Sequence, residues 1–180
     1  ETVLGQTYVI SPWMDEKLRN NYDGLMLQLD VFNKSGELCK KHGMQFGYHN
    51  HNFEFTEKVN GEIIYDLILQ HTDPTLVIQQ LDFGNLFGTG ARGEAWIKKY
   101  PGRFVSLHVK DEIKTAKGEM NDGYESCVLG EGEVNPKMVS MLAKKIGGAK
   151  HFIIEQESYQ NKTPLEAVKL DLEKIKTWGL

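Results

Sequence analysis

Five short apolar runs of strand character alternate along the chain with segments of helical spacing, and this alternation restricts the fold more than any other feature. The runs are "TYVISPW" (Thr7 to Trp13), "MQFGYHNH", "LVIQQLDFGN", "FVSLHVKD" and "HFIIEQES". Between the first two, "DGLMLQLDVFNKSGELCKKHG" places Leu25, Leu27, Leu29, Val31, Phe32, Leu38 and Cys39 at mostly helical spacing. It stops on Lys-Lys-His-Gly, cations and a glycine where a helix end favours them. "GEIIYDLILQHTDP", "RGEAWIKKYPG" and "PKMVSMLAKKIGG" read as shorter helices, the last with Pro136 in its first turn. "TPLEAVKLDLEKIKTW" begins with Thr163 as N-cap, Pro164 at N1 and Glu166 at N3, close to a capping box. The stretch from about Glu112 to Asn135 reads as a long polar loop. Strand–helix alternation repeated this often means an α/β fold with parallel strands. Five strands, against the about 250 residues of a complete eight-stranded barrel, leave either an incomplete barrel or an open α/β sheet. No change of composition divides the chain, so residues 1–180 are expected to form a single domain.

Composition narrows the function classes. A chain of 180 residues is long enough for one domain with a real core, and its 40% hydrophobic and 26% charged residues are ordinary for a globular protein. The net charge of −4 is spread over both signs without a basic block, which argues against a nucleic-acid partner bound through its phosphates. No apolar run approaches the roughly 20 residues of a membrane span. The chain begins at Glu1 rather than at a methionine, so a processed or trimmed amino terminus and the compartment both stay open. Cys39 and Cys127 match no Cys-x-x-Cys spacing and read as free thiols.

In parallel α/β folds, active sites sit at the carboxyl ends of the strands. Here the second run ends in His49, Asn50 and His51, with Glu54 after it. The third ends in Asp82, Gly84 and Asn85, the fourth in His108, Lys110 and Asp111, and the last in Glu155 and Glu157. Strand parity puts His49 with His51, His108 with Lys110, and Glu155 with Glu157 on common faces. Taken singly, each has an ordinary reading: an aspartate that makes a turn, a packed histidine, a solvated Glu-x-Glu edge. Four successive strands with an imidazole or a carboxylate at the same end point to a divalent-metal site. Oxygen and nitrogen donors without cysteine suit Mn, Mg, Zn or Co, with Mn the first choice.

The motifs "GYHNHNFEF", "QQLDFGN", "SLHVKD", "LGEGEVN" and "FIIEQE" together resemble the sugar phosphate isomerase/epimerase family, the xylose isomerase-like TIM barrels of the AP endonuclease family 2 superfamily. The resemblance runs from Thr7 to the last helix. It implies a (β/α)8 TIM-barrel-type α/β fold lacking the first two β/α units, completed by a partner copy or cut from a longer chain. It also implies one divalent metal held by Glu, Asp, His and Glu from four strands. Carried over, these are Asp82, His108 and Glu155, with the first glutamate falling at or near His49. Either His49 binds the metal itself or Glu54 reaches back from the following loop; the harder donor atoms favour Glu54, with His49 and His51 facing the substrate.

The chemistry expected from that resemblance is proton transfer next to a carbonyl of a sugar or cyclic polyol, leading to epimerisation, isomerisation or dehydration. Glu155, His49 or His51 would move the proton. Lys110 would hold a substrate oxygen or, on the ordinary reading, be solvated beside Asp111. Asn85 would orient the substrate or simply make the turn; Glu157, the second candidate on the last strand, would bind the substrate. The loop Leu129 to Asn135 reads either as a plain turn or as backbone amides offered to a sugar or phosphate. Tyr48, Phe53, Phe83 and Phe87 read as a wall against a sugar ring or as core. The expected partner is a small sugar or polyol, with no nucleic acid and no membrane, and a homo-oligomer stays open. The competing readings are an endonuclease IV-like DNA repair enzyme, which needs several metals, and a non-catalytic truncated barrel.

Overall fold

A computed structural model describes residue 3 and residues 5–180 of the chain; Glu1, on which the reading of a trimmed terminus rests, lies outside them. Two units divide the chain, residues 1–80 and 81–180.

In the first unit, β1 (Tyr8–Ser11) is followed by a single helical turn, α1 (Glu16–Arg19), and by the 20-residue helix α2 (Tyr22–Lys41). The α2 start is fixed by Asn21, whose side chain accepts from the Gly24 amide at 2.8 Å. Its stop follows Lys40 and Lys41, which complement the helix dipole. Leu25, Leu29, Phe32, Gly36 and Cys39 form the buried stripe, spaced three and four residues apart. Gly36 is required by close approach: a Cβ there would lie 2.6 Å from the Leu76 carbonyl oxygen. Phe32 carries much of the packing, with its ring 5.6 Å from Phe46 and 5.2 Å from Tyr48.

Those two aromatics belong to β2 (Gln45–His49), which pairs in parallel with β1 from Tyr8↔Gln45 to Ser11↔Tyr48. A short turn α3 (Phe53–Thr56) and a small antiparallel hairpin, β3 (Lys58–Val59) with β4 (Glu62–Ile63), lead into α4 (Ile64–His71). Strand β5 (Val77–Asp82) then pairs in parallel with β2 from Phe46↔Val77 to His49↔Gln80. All six residues of β5 are buried, as expected of a parallel strand covered on both faces.

In the second unit, α5 (Gly93–Lys99) precedes β6 (Ser106–Val109). The segment read as a polar loop contains a second antiparallel hairpin, β7 (Asp111–Lys114) with β8 (Tyr124–Cys127). Helix α6 (Pro136–Leu142) runs on through a π-helical turn at Ala143–Gly147. Strand β9 (His151–Ile154) pairs in parallel with β6, with His108 opposite Ile153. The last helix, α7 (Pro164–Lys176), opens on the capping box expected of Thr163 and Glu166, both halves of which are formed. Cys39 and Cys127 are free and buried. Among the described residues, no helix is long and apolar enough to cross a membrane.

Candidate active site

The carboxyl ends of β5, β6 and β9 bring six side chains of the second unit together. Asp82 is fully buried; its Oδ1 accepts from the amides of Gly84 and Asn85 at 2.9 and 2.8 Å, which turns Oδ2 toward the strands beyond. Oδ2 lies 3.9 Å from His108 Nδ1 and 3.6 Å from Lys110 Nζ. Glu155, one residue past β9, places Oε2 2.5 Å from His108 Nδ1 and 3.7 Å from Lys110 Nζ. The Lys110 ammonium donates to Asn85 Oδ1 at 3.0 Å and to Glu157 Oε2 at 2.8 Å.

Lys110 is 1% exposed, so the reading of a solvated lysine beside Asp111 does not hold. Its stem lies on the bare backbone of Gly84, where a Cβ would come within 2.7 Å of the lysine Cβ, Cγ and Cδ. The glycine of "DFGN" therefore makes room for the lysine. Asp111, next in sequence, points the other way: its carboxylate accepts from the amides of Gly130, Gly132 and Val134 at 2.7, 3.1 and 3.0 Å. The loop Leu129 to Asn135 is thus folded around an acid of its own chain, which corrects the expectation that its amides meet a sugar or phosphate.

Charge is concentrated here. Burial pushes the Asp82 carboxyl up to about 6, with Lys110 opposing and Glu155 adding to the rise. The hydrogen bond from His108 holds Glu155 well below the usual carboxylate range against its burial, and Lys110 adds to the effect. Burial works against the Lys110 ammonium, yet Asp82, Glu155 and Glu157 outweigh it and hold its proton above the ordinary lysine value. Three carboxylates face this single ammonium, an excess of negative charge that invites a further cation. The donor set fits a divalent metal. The His108 Nδ1 nitrogen lies 3.9 Å from one carboxylate oxygen, Asp82 Oδ2, and within hydrogen-bond distance of a second, Glu155 Oε2, the nitrogen and oxygen donors that a divalent ion takes.

The first unit treats its polar residues differently. Glu54 is fully buried, and both oxygens are engaged: Oε1 accepts from the Tyr48 hydroxyl at 2.6 Å and Oε2 from the His51 amide at 2.9 Å. Burial pushes its carboxyl up to about 7, partly offset by these bonds and by Arg19. The expectation that Glu54 reaches back as a metal ligand is corrected by these contacts; it braces the turn after β2. His49 and His51 do adjoin each other, rings 4.9 Å apart and nearly perpendicular. His51 also stacks at 6.1 Å on Phe53 and meets the edge of Trp13 at 4.7 Å. The wall read into Tyr48, Phe53, Phe83 and Phe87 is core, since all four are buried. No motif or periodicity singles out Trp13, which stands exposed beside His51.

Comparison with known proteins places the chain in a family. A sequence model of the family described as xylose isomerase-like TIM barrel matches residues 3–178. An inosose dehydratase of Clostridium perfringens is 28% identical over 138 residues, covering 69% of this chain and 44% of that protein. Two crystal structures of a sugar phosphate isomerase/epimerase from Parabacteroides distasonis superpose with TM-scores of 0.79 and 0.78 at 26% and 29% identity. They cover 96% and 97% of this chain and 58% and 60% of theirs. The chain spans about half the length of the relatives it matches.

Proposed function

The chain belongs to the xylose isomerase-like TIM barrel family, and from that premise we propose that it serves a divalent-metal-dependent enzyme that moves a proton next to a carbonyl of a sugar or cyclic polyol. The observation that carries the reading is the convergence of Asp82 Oδ2, His108 Nδ1 and Glu155 Oε2 beside the buried Lys110 ammonium. Asp82, His108 and Glu155 would hold the ion, Mn by first choice and Mg, Zn or Co otherwise. When bound, the ion would polarise the substrate carbonyl and acidify the neighbouring C–H.

The residues supply the rest. Lys110, tied to Asn85 and Glu157, presents a fixed positive charge to a substrate oxygen on which negative charge develops. Glu157 and Asn85 in turn orient that lysine and offer acceptors to sugar hydroxyls. Glu155 would take the proton. Returning the proton to the opposite face epimerises, returning it to the neighbouring carbon isomerises, and loss of a β-hydroxyl dehydrates. The printed activities of the relatives, inosose dehydratase and sugar phosphate isomerase/epimerase, span these outcomes.

The test is metal content per chain by elemental analysis after Mn and Zn are supplied, on the wild type and on His108→Ala. About one metal per chain, lost in the variant, is expected, together with turnover on a panel of ketoses and inososes. No metal in either protein would sink the reading.

A further inference from the structure

We propose that Ser126, oriented by Glu119, is a positioning residue of this site. It fixes the backbone that carries Glu157, and through the Glu157 carboxylate it sets the place of the Lys110 ammonium. The inference rests on the proton-transfer reading above and adds to it two residues of the β7–β8 hairpin.

Of the three carboxylates around Lys110, one is loose by nature. Asp82 is fully buried and held by two amides, and Glu155 is bonded to His108. The Glu157 side chain is 56% exposed, yet its Oε2 makes the shortest contact, 2.8 Å against 3.6 and 3.7 Å. An exposed, rotamer-rich carboxylate holds one geometry only at an entropic cost, so the chain beneath it must be fixed. The sheet does not fix it. Strand β9 ends at Ile154, and the ladder to β6 runs out with the Glu155 amide on the Val109 carbonyl at 3.3 Å.

Ser126 supplies the hold. It is fully buried on β8, and its Oγ accepts from the amides of Glu157 and Ser158 at 2.7 and 3.0 Å. Its proton goes to Glu119 Oε1 at 2.5 Å, and the Ser126 amide donates to the same oxygen at 2.9 Å. A hydroxyl has one donor and two acceptor positions, and all three are used. Glu119 takes the proton and so leaves both lone pairs to the amides. Gln160 doubles the attachment: its Nε2 donates to the Ser126 carbonyl at 2.8 Å and to Glu125 Oε1 at 3.0 Å. The hairpin itself is paired without these bonds, from Asp111↔Cys127 to Lys114↔Tyr124. What they join to it is the segment that carries Glu157.

The consequence falls on the lysine. With its backbone fixed, Glu157 shares the Lys110 ammonium with Asn85 and keeps it from Asp82 and Glu155, which stand farther off. Released, the ammonium would shift toward those two acids and away from the substrate oxygen. A misplacement of about 1 Å costs up to about 10²-fold in rate. The loss is one of transition-state charge stabilisation, so it lowers kcat and leaves KM nearly unchanged.

The experiment reads the backbone, the metal and the turnover separately, on the 180-residue chain. Ser126→Ala is expected to speed hydrogen exchange of the Glu157 and Ser158 amides about tenfold or more. Mn2+ affinity and KM stay within about threefold, while kcat per bound Mn2+ falls about 10- to 100-fold on the ketose or inosose that the wild type turns over. Glu119→Ala does the same. Glu119→Gln, which keeps an acceptor oxygen for the hydroxyl, and Ser126→Thr, which keeps the hydroxyl, restore most of the turnover. The Glu119 pair carries the test if Ser126→Ala does not fold. Turnover within about threefold of wild type in Ser126→Ala and Glu119→Ala overturns the positioning role and leaves the proposed function standing. So does a fall in Mn2+ affinity that matches the fall in turnover, because it puts the defect at the metal. A wild type that binds Mn2+ but turns over neither ketoses nor inososes overturns the proposed function and this inference with it.

Discussion

The two halves of the chain bury acids in opposite ways. In residues 1–80, Glu54 is enclosed by partners from its own turn, the Tyr48 hydroxyl and the His51 amide. In residues 81–180, Asp82, Glu155 and Glu157 crowd one lysine. The first arrangement closes a turn and is complete in itself. The second leaves an excess of negative charge around a buried ammonium, which a protein tolerates where a metal or a substrate will answer it. Sequence spacing alone makes the two look alike, since both are acids after an apolar strand.

Breaking the crowded half has the largest expected effect. Lys110→Met removes the ammonium among Asp82, Glu155 and Glu157, and loss of one member of a buried ionic set costs about 3–5 kcal/mol. Urea unfolding without metal should show that loss, and saturating Mn2+ should return most of it. A loss under about 0.5 kcal/mol, as at surface positions, would erase the contrast.

The closed half gives a pH signature of somewhat smaller size. Folding raises Glu54 from 4.5 to about 7. Between those values the folded chain holds a proton that the unfolded chain has lost, so stability falls as pH rises through the window. A change of that size is about 3 kcal/mol at about 1.4 kcal/mol per pH unit. Glu54→Gln mimics the protonated group and does not titrate. Its stability relative to wild type should rise by about 3 kcal/mol from pH 4.5 to pH 8 in paired denaturation curves, and a constant difference would refute the buried-acid account. Thr163→Ala, remote in chemistry from both, sets the baseline: it removes the α7 cap, costs about 1 kcal/mol, and should leave Mn2+ affinity unchanged.

Much of this was legible before any coordinates. The five long strands, the helices between them and the capping box at Thr163 follow from periodicity and capping chemistry, which are local. His108 and Glu155 are neighbours because β6 and β9 pair in parallel, and the ends of such strands are where polar residues collect. The hairpins were missed because β3 and β4 are two residues each and β7 and β8 are polar, leaving no apolar alternation to read. The burial of Lys110 depends on partners 25 and 47 residues away, a distance across which spacing carries no information. Glu54 was misassigned for the reverse reason: its partners are three and six residues away, too close to suspect.

The loop that holds Asp111 has one more consequence. Amides of Gly130, Gly132 and Val134 aimed at a single carboxylate make a nest of the kind that elsewhere cradles free anions. Here the anion is built into the chain, so the nest fastens the loop to the strand end instead of recognising a ligand. Shortening Asp111 to a residue without an acid would leave converging donors around an empty seat.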